Sequence, residues 1–331
     1  MGFDDEDTGP IDVIDIDAVG VAVRAQVRPT TFLEAAALSD AVGAEIRIAS
    51  ETFQHTGSFK FRAAVAVALN VKAPHLIAAS SGNFGAALAL AARRANKQCT
   101  IVMPAHSSKV KIEAVKRNGA TVVLVDTAQQ TRLSRLEQVA AEHPDAQKVS
   151  AYDDRFVIAG NASLGLEIFE AGEPPDGVLV PVGGGGLSSG MVLARDRLQP
   201  DCPVWGAEPL SANDAARSLR AGVLCKDERE STTLCDGART LALGQKNFAI
   251  LRRGLHGIVE VSEDNVIKAL GLLFRHANLK VEPTGALAVA ALLQEPTMFA
   301  GKRITCVVSG GNVDAELYAQ LLLRTHSGAP S

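Results

Sequence analysis

Short apolar runs alternate with alanine-rich amphipathic stretches along most of the chain. Where an apolar run ends, glycine and serine tend to cluster before the next amphipathic stretch. The run at 75–79 leads into Ser80-Ser81-Gly82-Asn83-Phe84-Gly85, and the spacing predicts a helix over 86–96. The run at 98–103 precedes Pro104 and a helix over 108–118 that Gly119 closes, and the run at 121–125 precedes a helix over 127–143. Further runs at 45–49, 178–182, 204–207 and 304–308 bring the expected strands to about seven. Short β-branched runs separated by helices indicate parallel strands covered on both faces. The expected fold class is α/β, with two open, mostly parallel twisted sheets covered by helices. A small domain over 55–148 is expected inside a large one made of 1–54 and 149–331.

Composition narrows the function classes. The chain has 331 residues, 47% apolar and 21% charged, with a net charge of −4. Without clustered Lys and Arg, neither a nucleic-acid surface nor a polybasic membrane anchor is expected. No apolar run is long enough to span a bilayer. The first 17 residues carry seven Asp or Glu, unlike a signal or transit peptide. Cys99, Cys202, Cys225, Cys235 and Cys306 show no zinc-site or CxxC spacing. They read as reduced thiols of a cytoplasmic protein, with Cys225 and Cys235 as a pair that could meet. The expected partner is a small molecule.

Candidate chemistry sits in the turns, since ligands of open α/β sheets bind beyond the carboxyl ends of the strands. In Thr56-Gly57-Ser58-Phe59-Lys60-Phe61-Arg62, Lys60 is the first charge after a small polar turn and precedes an alanine-rich run. A lysine in a largely dry pocket loses part of its preference for the charged state, and a neutral amine is what Schiff-base chemistry needs. A surface lysine at a helix start is the commoner case. Gly183-Gly184-Gly185-Gly186-Leu187-Ser188-Ser189-Gly190 follows a strand. Four missing Cβ atoms exceed what close packing requires, so backbone N–H groups and the following helix start can converge on a phosphate. A tight packing turn is the alternative. The segment fits neither a dinucleotide fingerprint nor a Walker loop.

The N–H groups and hydroxyls of Ser80–Gly85 suit a carboxylate, and Asn83 offers both donor and acceptor. The other reading is a capped helix start, with Ser81 or Asn83 as N-cap. Ser309-Gly310-Gly311-Asn312 follows another strand, and Ser309 suits either a ring nitrogen or an ordinary turn. Glu208 and Asp214 lie six residues apart with carbonyls between them. Such oxygens suit Mg2+, Ca2+ or Mn2+. The alternative is an N-cap at Asp214 with Glu208 solvated. His55 reads as an acid/base group or, more often, a structural hydrogen-bonder.

Together these segments resemble the serine/threonine dehydratase family of fold-type II pyridoxal-phosphate enzymes, which includes serine racemase. The resemblance runs from Arg28 to about Asp314, with the motifs in family order. It implies that Lys60 holds the aldehyde of pyridoxal 5'-phosphate and that Phe59 packs near the ring. Gly183, Gly184, Gly185, Gly186 and Leu187 would bind the phosphate, Asn83 the 3'-oxygen, and Ser309 the pyridine nitrogen. Ser58, Ser80, Ser81, Gly82, Asn83 and Phe84 would hold the substrate, with Ser81 on the face opposite Lys60. Glu208, the carbonyl of Ala212 and Asp214 would bind a divalent cation. The segment Val281-Glu282-Pro283-Thr284-Gly285-Ala286 matches a family segment near the site.

Departures from the family pattern include Phe84 for a frequent histidine and Asn161-Ala162-Ser163 for Gln-Gly-Thr. The implied activity is β-elimination of water from an L-β-hydroxy amino acid of the threonine/serine class, giving a 2-oxo acid and ammonia, in a homodimer. Lys60 would be the base, and a neutral Ser309 would favour elimination over transamination. Serine racemase, or a hydroxyaspartate or phenylserine dehydratase, is the alternative on the same scaffold. A non-catalytic α/β protein binding a phosphorylated ligand is the alternative from another class.

Overall fold

Ten strands divide between two sheets among the residues that the computed structural model describes, 14–80, 82–107 and 109–325. The acidic stretch before residue 14, where no signal or transit peptide is expected, lies outside the described residues, as does Ser81. The larger sheet contains β1 (Thr31–Glu34), β2 (Glu45–Ser50), β7 (Gly177–Pro181), β8 (Val204–Pro209), β9 (Gly257–Val261) and β10 (Arg303–Val308). Its order is β1-β2-β10-β7-β8-β9, parallel throughout except for the antiparallel β1–β2 pair. The smaller sheet contains β3 (His75–Ala79), β4 (Gln98–Pro104), β5 (Thr121–Val125) and β6 (Ala146–Lys148). It is all parallel, in the order β5-β4-β3-β6. The two-sheet α/β expectation is therefore met.

The central strands read as unbroken apolar runs because both of their faces are covered. On β7, Val178 and Val180 join one core with the helices Arg155–Glu170 and Gly186–Leu198, while Leu179 points into another. On β3, Leu76 and Ala78 face one core and Ile77 the other. This is the two-residue period of a strand buried on both sides. The three strands missing from the sequence expectation, β1, β6 and β9, are all edge strands. Only β9 has buried residues, Val259 and Val261. Half-solvated edges do not need the apolar run that marks a central strand.

The helix Lys60–Asn70 is anchored at its start by a buried charge cluster. Arg62 is 0% exposed. Its guanidinium donates to Glu51 from Nε at 2.8 Å and from Nη2 at 2.9 Å, and to Glu167 from Nη1 at 2.7 Å. Nη2 also donates to the Thr30 hydroxyl at 2.9 Å, and Nη1 to Ser163 Oγ at 3.2 Å. Burial works against the charge, but the Glu51 and Glu167 carboxylates outweigh it and raise the arginine pKa. The planar fork satisfies two acids at once, which a lysine cannot do. The cluster ties the first turn of the helix Lys60–Asn70 to Glu51, which follows β2, and to the helix Arg155–Glu170.

Removing one partner of a buried ion pair strands the others. Arg62→Leu is therefore expected to cost about 3–5 kcal/mol in urea unfolding. A loss below about 1 kcal/mol, the range of an exposed pair, would refute the anchoring role.

Candidate active site

The turn bearing Lys60 is stitched to the turn that follows β10. The Phe59 N–H donates to the Ser309 carbonyl at 3.0 Å, the Gly311 N–H donates to the Gly57 carbonyl at 3.0 Å, and Ser58 bridges Gly310. Gly57 has φ +75°, and a Cβ there would collide with the Asn312 side chain, so this position needs glycine. Lys60 and Ser309, 249 positions apart in sequence, are thus held on adjoining backbone segments. Ser58 and Ser309 are both buried, and the Ser58 hydroxyl has no hydrogen-bond partner.

Lys60 is the first residue of its helix and keeps some accessibility. Its Nζ donates to the Ala151 carbonyl at 2.7 Å and lies 5.1 Å from the Phe59 ring centre and 5.6 Å from that of Phe84. Burial lowers its pKa to about 8, against the opposing pull of the Glu282 carboxylate. The amine thus sits between two rings and a carbonyl while the side chain as a whole is only partly withdrawn from solvent.

The glycine loop lies between β7 and the helix Gly186–Leu198, whose N-cap Gly185 has φ +93°. Packing alone demands glycine at all four positions, contrary to the expectation from sequence. A Cβ on Gly183 would sit 2.8 Å from the Gly237 carbonyl, one on Gly185 2.7 Å from Asn247, and one on Gly186 2.9 Å from the Tyr152 carbonyl. One on Gly184 would enter the Tyr152 ring. The Gly184 carbonyl is taken up by the Asn247 amide at 2.8 Å and the Gly244 N–H at 3.1 Å. The N–H groups of a helix's first turn have no intrahelical partner and attract an anion. Ser189 Oγ and Asn247 Oδ1 are buried without a hydrogen-bond partner. Of the two, only the Ser189 hydroxyl can donate to a phosphate at this helix start, since Asn247 Oδ1 is an acceptor; Leu187 beside it is buried.

The carboxylate-type loop precedes the helix Asn83–Arg94. Asn83 is not its N-cap; that position is Gly82, without a side-chain cap, and Ser81 lies outside the described residues. Ser80 Oγ instead accepts from the Gly85 N–H at 3.1 Å. Phe84 is 2% exposed, an apolar wall beside the Lys60 amine.

Two residues had no role assigned from sequence. Glu282 precedes the buried helix Pro283–Gln294 and accepts from Asn83 Nδ2. Burial raises its pKa to about 8, with Asp236 adding to the effect and the Asn83 hydrogen bond, Lys111 and Lys280 opposing it. Tyr152 lies across Gly184, and nothing in its sequence surroundings marks it. His55 packs edge-on against Phe61 at 5.2 Å and contacts Arg94, a structural placement.

The acidic pair departs from the solvated-Glu208 alternative. Glu208 is fully buried, and its oxygens accept from the N–H groups of Ala215 at 3.0 Å and Ala216 at 2.9 Å, so Glu208, not Asp214, caps the helix Asp214–Ala221. Asp214 Oδ2 is buried without a partner, and burial raises the Asp214 pKa to about 7, reinforced by Asp227. Burial also pushes Glu208 well up, Ala216 opposing and Asp214 reinforcing. Two desolvated carboxylates with an orphaned oxygen fit a cation. No cluster of three or more His, Cys, Asp or Glu that could hold a metal occurs among the described residues. The remaining ligands would be carbonyls such as that of Ala212. All five cysteines, Cys225 and Cys235 included, are free thiols.

A family model described as pyridoxal-phosphate dependent enzyme matches residues 23–310. An L-threo-3-hydroxyaspartate ammonia-lyase of a Pseudomonas species is 37% identical over 85% of this chain and 88% of its own length. A protein of the same name from Saccharomyces cerevisiae is 36% identical over 92% and 94%. The crystal structure of a threonine deaminase from T.th. superposes with a TM-score of 0.85, at 36% identity over 90% of this chain and 97% of that one.

A lysine pKa of about 8 has a direct chemical readout. At pH 7 about a tenth of such amines are neutral, against roughly one in 3,000 at the ordinary value. In cofactor-free protein, Lys60 should react with a small aldehyde under borohydride with half-maximal rate near pH 8, followed by peptide mass spectrometry. A midpoint above pH 10 would show the amine to be solvated.

Proposed function

The chain belongs to the pyridoxal-phosphate dependent enzymes, and we propose that it is an ammonia-lyase removing water from an L-β-hydroxy amino acid of the threonine/serine class. The observation that carries this reading is the Lys60 amine, its pKa lowered by burial, on a backbone segment hydrogen-bonded to that of Ser309. Its lowered pKa supplies the neutral amine that can hold the cofactor aldehyde and, once released by substrate, take the α-proton. When bound, the cofactor supplies the electron sink for the charge left by that proton.

The protein's own groups set the direction of the reaction. The glycine-loop N–H groups and the following helix start hold the phosphate. Ser80, Gly82 and Asn83 hold the substrate carboxylate, and Ser81 is assigned to the opposite face by resemblance. A serine hydroxyl at position 309 cannot lend the ring nitrogen a full proton as a carboxylic acid would. Less charge then accumulates before the β-hydroxyl leaves, which favours elimination. The eliminated product hydrolyses to a 2-oxo acid and ammonia. Glu208, the Ala212 carbonyl and Asp214 are proposed to bind a divalent cation, with the orphaned Asp214 oxygen in support. A cytoplasmic homodimer is part of the same reading, by resemblance.

A second substrate reading is 3-hydroxyaspartate, favoured by two relatives of that activity at 37% and 36% identity. Phe84 supplies no polar group for a second carboxylate, so the two readings pull apart at the substrate's side chain.

A panel of threonine, serine, 3-hydroxyaspartate and phenylserine, followed by 2-oxo acid release and chiral analysis of the residual amino acid, separates these readings from serine racemase. Lys60→Ala should abolish both turnover and the visible absorption of the purified protein. A wild-type protein that is colourless with added cofactor would instead support a phosphate-ligand-binding protein. Adding Mg2+, Ca2+ or Mn2+ to chelator-treated protein at a hundredfold its Kd should raise the melting temperature by about 4 °C. Asp214→Asn should lose that response, and a wild type indifferent to all three ions would remove the cation from the scheme.

A further inference from the structure

Four turns from distant parts of the chain meet in one polarised hydrogen-bond relay. Asn312 Nδ2 donates to the Thr56 carbonyl at 2.7 Å and to Asn83 Oδ1 at 2.9 Å. Asn83 Nδ2 in turn donates to Glu282 Oε1 at 2.8 Å and Oε2 at 3.2 Å. The direction is fixed at the Thr56 end. The Thr56 carbonyl can only accept, so the Asn312 amide must present its nitrogen, and the Asn83 oxygen must then face Asn312. That leaves the Asn83 nitrogen for Glu282, the terminal acceptor.

We infer that Glu282 is a positioning residue, which fixes the amide orientation of Asn83 and through it the start of the helix Asn83–Arg94 against the Lys60 and Ser309 turns. The inference rests on the proposed lyase reading, in which Asn83 touches cofactor and substrate.

The surroundings are built for the carboxyl group. Glu282 is 5% exposed, and its own N–H donates to the Gly310 carbonyl at 3.1 Å. A Cβ on Gly310 would lie 2.5 Å from Glu282 Oε1 and 2.8 Å from Ser58 Cβ, so glycine there makes the room. Burial raises the Glu282 pKa to about 8, so at neutral pH the side chain is largely a neutral acid. Glutamine is then its near isostere, keeping one acceptor oxygen.

The test uses the holoenzyme, with the circular dichroism of its visible band as a readout of cofactor orientation and KM and kcat measured beside it. Glu282→Ala should change the sign or at least halve the amplitude of the dichroic band and raise KM about tenfold, the loss of one or two hydrogen bonds. Glu282→Gln should stay within about twofold of wild type in both, since an acceptor remains. Asn312→Ala should reproduce part of the Glu282→Ala change, and the double variant should be no worse than Glu282→Ala alone. If Glu282→Ala does not fold, the Gln variant and Asn312→Ala still decide the matter. A Gln variant as impaired as Asn312→Ala, or strictly additive effects, would overturn the inference. A colourless wild type would instead overturn the lyase reading, so the two failures are distinct.

Discussion

Desolvation of the Lys60 amine is the constraint around which the site is arranged. An amine of ordinary pKa is almost wholly ammonium at neutral pH, whereas burial lowers the Lys60 pKa to about 8 and leaves about a tenth of it neutral. Holding it there places demands on the rest of the chain. The turn must adopt a left-handed glycine, the helix start must be fixed by a buried arginine, and the opposing turn must supply backbone partners. Glu282 works against this constraint electrostatically, since its ionised form favours the charged lysine. The burial that raises the Glu282 pKa weakens that opposition.

The glycine loop shows how one segment meets two requirements. Its carbonyl side is consumed by Asn247 and Gly244, and its Cβ positions are filled by Tyr152 and the 237–247 segment. What remains is the N–H side. Tight packing accounts for each glycine, and the N–H groups it leaves over are those proposed to hold a phosphate.

Central strands and chemistry-bearing turns were legible because their constraints are local. A strand buried on both faces must be apolar, and a turn that approaches a neighbouring backbone must be glycine. Edge strands such as Ala146–Lys148 obey neither rule and were missed. The burial of Glu208 was also hidden, because a carboxylate's environment depends on segments far away in sequence. The same holds for Glu282 and Asn312, whose motifs were visible but whose partners were not. Tyr152 had no local signature, since its role is to fill the space left by Gly184.

The buried cluster of Arg62, Glu51 and Glu167 has a consequence for descent. Its members come from three separate stretches of chain, yet the charge of each is tolerable only in the presence of the others. A lineage cannot lose them one at a time without passing through a poorly folded form. The three positions are therefore expected to behave as a single unit under substitution. The segments between them, that of Phe84 included, carry no part of this charge cluster and are not bound by its constraint.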